Sequence, residues 1–316
     1  MSDDSALPAL PALPAGEETA WLTARQAAAY LHITEKTLYE LAGKREVPAA
    51  KVGSKWLFPR ALLDEWLLEQ AHEGALTDRL LIAGSDDPWL AAAILQLADR
   101  LGDSACIAHS PNGTSAGLKQ LARRRVGASA LHWGPVERSE LQHTTLLRRH
   151  PGHTGWVLLR LCAREQGIIL RRGLFGDGAG SLEMLAGYDY RWAMRQPGAG
   201  SQHFLLTALT DRGFAESDCS TVATALSERQ AAGFVAQGVA DCAPGTRAAA
   251  GEFGLGFLPL GWEAFDLALP KALYFRRIFQ DLLATLGSPP LRELATRLGG
   301  YDLSAFGRLL PLDEGR

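Results

Sequence analysis

The chain has 316 residues, 47% hydrophobic and 21% charged, with a formal net charge of −3, a composition that can bury the cores of about two domains. So small a net charge excludes a global basic field for nucleic acid, and any DNA binding must come from a local patch. Apolar runs such as Gly155 to Cys162 are short and broken by Arg160, well under the about 20 residues needed to span a bilayer.

Residues 1–18 alternate Ala, Leu and Pro after Asp3 and Asp4. They lack the basic start and unbroken apolar stretch of a signal peptide, and read as a disordered tail on a cytoplasmic protein with no membrane association. The first module is expected over residues 19–72. Thr23 is a natural N-cap for a helix that turns Ala27, Ala28 and Leu31 to one face, and His32-Ile33 then turns the chain. Thr34 caps a second helix, to Ala42, with Leu38 and Leu41 inward and Lys36, Thr37, Tyr39 and Glu40 outward. A short polar helix after a tight turn suits a DNA major groove. Two strand-like halves about Gly53-Ser54 then form a wing with Lys51 and Lys55 near its tip. Pro59 opens a last helix, Arg60 to about Gln70, packing through Leu62, Leu63, Trp66 and Leu67. Trp56 reads as core rather than as a base-stacking group.

Residues 73–78 read as a linker. From 79 to 316, short apolar runs alternate with helix-like stretches, as in a mostly parallel sheet covered by helices. The runs are Leu80–Ala83, Ala105–Ala108, Ala128–Trp133 and Gly167–Leu170. Small polar turns follow strands at Gly84–Pro88, His109–Gly117 and Arg195–Gln202. Each places hydroxyls and free N–H groups at a helix start, which binds anions without a lysine. The three turns are expected to converge on one cleft, although Ser85, Thr114, Ser115 and Ser201 serve equally as plain N-caps. His132 reads equally as a ligand contact or a satisfied core histidine. Asp86, Asp87 and Asp241 count against a highly charged anion unless they are paired or protonated.

The glycine run 176–180 lacks a preceding strand and G-x-G-x-x-G spacing, and reads as a loop. Trp156, Trp192 and Trp262 read as packing groups. The cysteines, Cys106, Cys162, Cys219 and Cys242, form no C-x-x-C pair and read as small buried apolar residues. No catalytic motif is present, and no catalytic residue, metal or cofactor is expected.

Across Leu22 to Leu67, "LTARQAAAYLHITEKTLYELAGKREVPAAKVGSKWLFPRALLDEWL" resembles the excisionase/MerR-type winged helix-turn-helix family. That resemblance implies that Glu35, Lys36, Thr37 and Tyr39 face bases or phosphates of an operator duplex, while Lys51, Ser54, Lys55 and Arg60 anchor its backbone. The chain departs from the family in carrying Glu35, Lys36 and Glu40 where arginines are usual, which makes a homodimer important for affinity. Seven Lys/Arg against six Asp/Glu over Leu22 to Gln70 leave a protein-docking module open as the alternative.

The stretches "LIAGSDDP", "SPNGTSAGLKQLARRRVGASALHW", "AREQGIILRRG", "RQPGAGSQ" and "VAQGVADCAPGTRAAAGEFGLGFLPLGWEAFDLALPK" resemble the periplasmic-binding-protein-like domain related to molybdate/tungstate-binding proteins. This implies a multidomain chain, a mainly α winged helix-turn-helix followed by a two-lobed α/β domain whose crossing segments run near Leu158 to Leu170 and Leu258 to Pro270. By family position, Ser85, Asn112, Thr114, Ser115, His132, Gly200, Ser201 and Asp241 would line a cleft for a small ligand, an oxyanion such as molybdate or tungstate in the sharpest version. The function implied is a ligand-responsive transcription regulator. Two alternatives stay open: an enzyme or molybdenum-enzyme biosynthesis accessory docking through the helix-turn-helix, and an architectural DNA-binding factor whose second domain has lost its ligand.

Overall fold

The computed structural model describes residues 21–44, 46–70, 79–175 and 180–312. The tail 1–18, the linker 73–78 and all of the glycine run except Gly180 lie outside the described residues. The chain divides into two compact units, Met1–His72 and Glu73–Arg316. No described helix is long and apolar enough to cross a membrane.

In the first unit β1 (Trp21–Thr23) leads into α1 (Ala24–Tyr30) and α2 (Glu35–Gly43), then β2 (Ala50–Val52), β3 (Lys55–Pro59) and α3 (Arg60–Gln70). Thr23 caps α1 through a reciprocal box with Gln26, and Thr34 caps α2 by accepting from Thr37 N at 3.1 Å. Each satisfies donors that a helix start otherwise leaves open. Between them His32 takes the left-handed conformation at φ 54°. The alanines Ala24, Ala27, Ala28 and Ala42 let the helices approach closely around Leu38, Val47, Phe58 and Leu63.

Three details depart from the sequence reading. A strand, β1, precedes α1 and makes the wing a three-stranded antiparallel sheet of order β1-β3-β2, with Leu22 opposite Phe58. Pro59 ends β3, so α3 starts at Arg60. On α3, Leu63 is buried and Trp66 half-buried, its Nε1 donating to Glu46 O at 2.8 Å, but Leu62 and Leu67 are exposed.

The second unit opens with β4 (Arg79–Gly84), α4 (Pro88–Leu101), β5 (Cys106–Pro111), α5 (Thr114–Ala122), β6 (Ala128–Leu131) and α6 (Ser139–Arg148). The chain crosses on β7 (Trp156–Leu170) to α7 (Leu182–Gly187), β8 (Arg191–Arg195), α8 (Gly200–Thr210), β9 (Ser220–Ala225), α9 (Glu228–Ala236), β10 (Cys242–Thr246) and α10 (Arg247–Glu252). It returns on β11 (Gly256–Pro270) to α11 (Lys271–Tyr274), α12 (Arg277–Leu286), α13 (Pro289–Leu298), β12 (Tyr301–Asp302) and β13 (Leu309–Leu310).

Strand order is β5-β4-β6-β11-β7-β10-β8-β9, with β12 and β13 on β7. β4, β5 and β6 run parallel, as do β8, β9 and β10, and the antiparallel pair β7/β11 joins the two groups. The crossing segments therefore lie where the family resemblance implied, and they define two lobes. The first lobe's core gathers Leu80, Ile82, Trp89, Leu90, Phe265 and Phe279. The second has one core on Trp192, Met194, Leu205 and Leu209 and another of alanines on α9 and α10. Cys162, Cys219 and Cys242 are buried as expected, whereas Cys106 is exposed because it begins the edge strand β5. Trp156 and Trp192 are packed, but Trp262 is 39% exposed.

Candidate functional site

On the first unit Glu35, Lys36, Thr37 and Tyr39 lie exposed on α2, with Lys51, Ser54 and Lys55 exposed along the hairpin. Gly53, at φ 60°, makes the turn. Lys51 pairs with Trp56 across the ladder and holds its Nζ 5.8 Å from the ring centroid, and Arg60 sits 5.3 Å from the centroid of Tyr30. Trp56 is half-buried and joins the module's core. Replacing Lys51 and Lys55 together by alanine is expected to weaken binding to every duplex alike. The slope of log affinity on log salt should fall by about 1.8, two phosphate contacts' worth. Filter binding at several salt concentrations reads that slope, and an unchanged one would show that the hairpin does not meet the backbone.

In the second unit, parallel strands deliver their following helices to one seam between the lobes. Three of these helix starts are closed by their own chain: Asp87 caps α4, Ser227 caps α9 and Thr246 caps α10. Two more, α5 on Gly113 and α8 on Ala199, begin on residues that cap nothing. Thr114, Ser115 and Ser201 are thus first-turn residues rather than N-caps. α5 and α8 belong to opposite lobes and meet, since Ser115 N donates to Gly198 O at 3.3 Å and Gln196 Nε2 to Asn112 O at 3.3 Å.

The structure brings most of the expected residues to this seam. Asn112 Oδ1 accepts from Gly84 N at 3.1 Å, locking two of the turns together. Ser85 Oγ and Thr114 Oγ1 lie 2.9 Å apart, and Thr114 donates to His132 O at 3.0 Å, so these hydroxyls satisfy one another. Ser115, Gly200 and Ser201 stand at the two uncapped helix starts. Asp241 does not join them. It precedes β10, at the far end of the parallel strands, where Arg191 holds it at 2.9 and 3.0 Å and Arg171 at 3.3 Å.

The floor of the seam was not legible residue by residue. Arg164 is fully buried on β7 and bonds Asp87 (3.0 Å), Glu228 (3.2 Å) and Glu263 (2.7 Å). His132 Nδ1 lies 2.5 Å from Glu263 Oε2. Asp86 Oδ2 accepts from Arg229 N at 3.1 Å. The carboxylates that argued against an anion are therefore occupied within the protein. The cation left over is Arg195, only 4% exposed. It donates from Nε to Ala225 O (3.1 Å), from Nη1 to Ser201 Oγ (3.1 Å) and from Nη2 to Leu226 O (3.2 Å), and among the described residues it has no carboxylate partner. Burial lowers its pKa against the pull of Glu228 and Asp86, yet a guanidinium stays charged in a protein. A buried, unpaired cation is costly unless an anion meets it. Because Ser201 accepts from Arg195, its own hydroxyl proton is available as a donor.

Residues 96–287 match the PBP superfamily domain, and residues 21–71 match a helix-turn-helix domain. The chain belongs to the PBP superfamily. No curated protein matches it in sequence. Among solved structures, Peb3 from Campylobacter jejuni is similar at 13% identity over 71% of this chain and 98% of that one, TM-score 0.47. A hydrogen-peroxide-bound OxyR mutant from Corynebacterium glutamicum is similar at 16% identity over 87% of this chain and 90% of its own, TM-score 0.47. A phosphate-bound putative phosphate transporter substrate-binding protein from Clostridium perfringens is similar at 10% identity over 70% and 97%, TM-score 0.47.

This PBP-superfamily chain also carries an open pocket of about 270 Å³ on the flank of the hinge, between the turn after β6, the outer face of α8 and Trp262. Its arginine, Arg212, is paired with Glu183 at 2.9 Å, and its other charged lining residues, Glu137 and Asp211, are acidic, so it does not suit an anion. At the seam, a Cβ on Gly200 would lie 2.4 Å from His132 O and 2.7 Å from His132 Nε2. The obstacle is the opposite lobe's backbone, which cannot turn aside as a side chain would. Gly200→Ala is therefore expected to fold normally but hold the lobes apart, lowering ligand affinity at least about tenfold, the effect of losing one or two first-turn contacts. Small-angle scattering with and without ligand would then show no compaction; wild-type compaction and affinity would place the closing contact elsewhere.

Proposed function

We propose that the protein is a ligand-responsive transcription regulator that binds operator DNA as a homodimer through its helix-turn-helix and takes a small oxyanion between the lobes of its PBP domain. The observation that carries the ligand class is Arg195, a buried guanidinium with no carboxylate partner among the described residues, beside the uncapped start of α8. Free N–H groups from two helix starts, the hydroxyls of Ser115 and Ser201 and two remaining guanidinium donors suit a compact tetrahedral oxyanion. Molybdate and tungstate are the first of this class to test. A ligand that bridges α5 and α8 favours the closed lobes by its differential affinity for that state, and closure would change the spacing of two DNA-binding modules against their half-sites.

A thermal-shift screen of the full chain against molybdate, tungstate, sulfate and phosphate tests the reading. At 100 times its dissociation constant, a ligand adds about 2.7 kcal/mol. No stabilisation by any of the four at millimolar concentration would overturn the oxyanion assignment.

A further inference from the structure

We infer that Glu228 is the specificity-determining contact of the interlobe anion site, carrying a proton on Oε2 and donating it to an oxygen of the bound ligand. The inference deepens the oxyanion reading and rests on it. Glu228 is the first residue of α9, 1% exposed. Its Oε1 accepts from Arg164 Nη2 at 3.2 Å and Gln166 Nε2 at 3.3 Å, and lies 3.5 Å from His132 Nε2. Its Oε2 is fully buried and has no hydrogen-bond partner among the described residues.

The surroundings set the Glu228 carboxyl against the groups that form the anion site. Arg195 donates to Ala225 O and Leu226 O, the backbone leading into Glu228. The imidazole beside Glu228 Oε1 is the one that abuts Gly200 at the start of α8. Charged groups face Glu228 from the neighbouring elements, Arg164 on β7, Glu263 on β11, His132 after β6 and Arg195 on β8, while Asp87 and Asp86 before α4 act on Arg164 and Arg195 in turn. Arg229, next on α9, is tied to Glu252, and His203 on α8 stacks on Trp133.

Two carboxyls among these cations divide the charge. Glu263 accepts from His132 Nδ1, Arg164 Nε and Gln166 Nε2. Burial raises its pKa, but the His132 and Arg164 charges outweigh that and hold it low. For Glu228 burial prevails, reinforced by the charge on Glu263, and its pKa is raised although Arg164, His132 and Arg195 pull the other way. The pair then holds one negative charge and one proton. An ionised Oε2 would repel an oxyanion seated on Arg195, whereas a hydroxyl there adds a donor. A site built only of donors fits oxyanions that carry no proton, such as molybdate or sulfate, and leaves the proton of hydrogen phosphate without an acceptor.

The test is calorimetric titration of the full chain with molybdate, sulfate and phosphate, in two buffers of different ionisation enthalpy, from about pH 6 to about pH 8. Molybdate and sulfate should outbind phosphate. Their binding on the alkaline side should take up close to one proton, with affinity falling toward about tenfold per pH unit as pH rises through the Glu228 pKa. Glu228→Gln keeps a donor and removes the titration, so it should retain affinity within severalfold while proton uptake and pH slope vanish. Wild-type protein that prefers phosphate, or a variant with the wild-type pH slope, would overturn the assignment. If the variant does not fold, proton uptake by the wild type decides alone. Failure of all three anions to bind the wild type would instead bring down the oxyanion reading itself.

Discussion

Arg195→Met is expected to reduce oxyanion affinity at least about 100-fold while leaving operator binding by the unliganded protein intact. The guanidinium has two N–H donors beyond those given to Ala225 O, Ser201 Oγ and Leu226 O. Charge-assisted hydrogen bonds contribute about 1.5–3 kcal/mol each, so two of them account for at least two orders of magnitude in dissociation constant. Methionine fills a similar volume without charge. Arg195→Lys keeps the charge but loses the planar fork that serves Ser201, Ala225 and Leu226 at once, and should fall between the two. Titration calorimetry with molybdate gives the affinities, and a melting curve for each variant shows whether the domain is intact. Wild-type affinity in a folded Arg195→Met protein would remove the oxyanion from this site.

Much of the fold could be read from the sequence because the signals were local. Thr23 and Thr34 cap their helices by contacts three residues away, whereas the two crossing strands, interrupted by Arg160, Arg164, Glu263 and Asp266, were located through the family resemblance rather than by an apolar run. Strand β1 could not be read, since three residues have no period and owe their conformation to Leu57, Phe58 and Pro59 opposite them. The uncapped helix starts at Gly113 and Ala199 carry a local signal as well, a small residue where Ser, Thr, Asp or Asn would cap. Arg195, Arg164, Glu228 and Glu263 were beyond sequence reasoning for another reason. Arg164 meets Asp87, Glu228 and Glu263 across sequence separations of 77, 64 and 99, and no pattern along the chain distinguishes a buried guanidinium from a solvated one. Asp241 fails in the opposite direction: its neighbours in sequence look like a strand end, but β10 runs parallel to β8, so the residue before it lies at the end away from the seam.

Arg164→Met should be the most destabilising single change in the second unit. The side chain is fully buried, compensates the buried carboxylates of Asp87 and Glu263, also bonds Glu228, and lies 4.3 Å from the Phe265 ring centroid. Removing one partner of a buried pair costs about 3–5 kcal/mol because the opposite charge is left uncompensated. In a unit of this size that corresponds to a fall of about 10 °C or more in melting temperature. The loss should depend on pH with a definite sign. In the wild type, Glu263 has a lowered pKa, so its contribution is present above the unfolded carboxylate pKa and fades as pH falls through the folded one. Without Arg164, the already raised pKa of Glu228 rises further and that of Glu263 rises above its value in the unfolded chain. Their penalty is then absent in acid, where both are protonated, and grows as pH rises through the raised values. The two stability curves should converge toward acid and separate toward neutrality. Scanning calorimetry of both proteins from about pH 4 to about pH 8 measures the gap, and a gap that stayed constant across that range would show that Arg164 acts by packing against Phe265 rather than by charge.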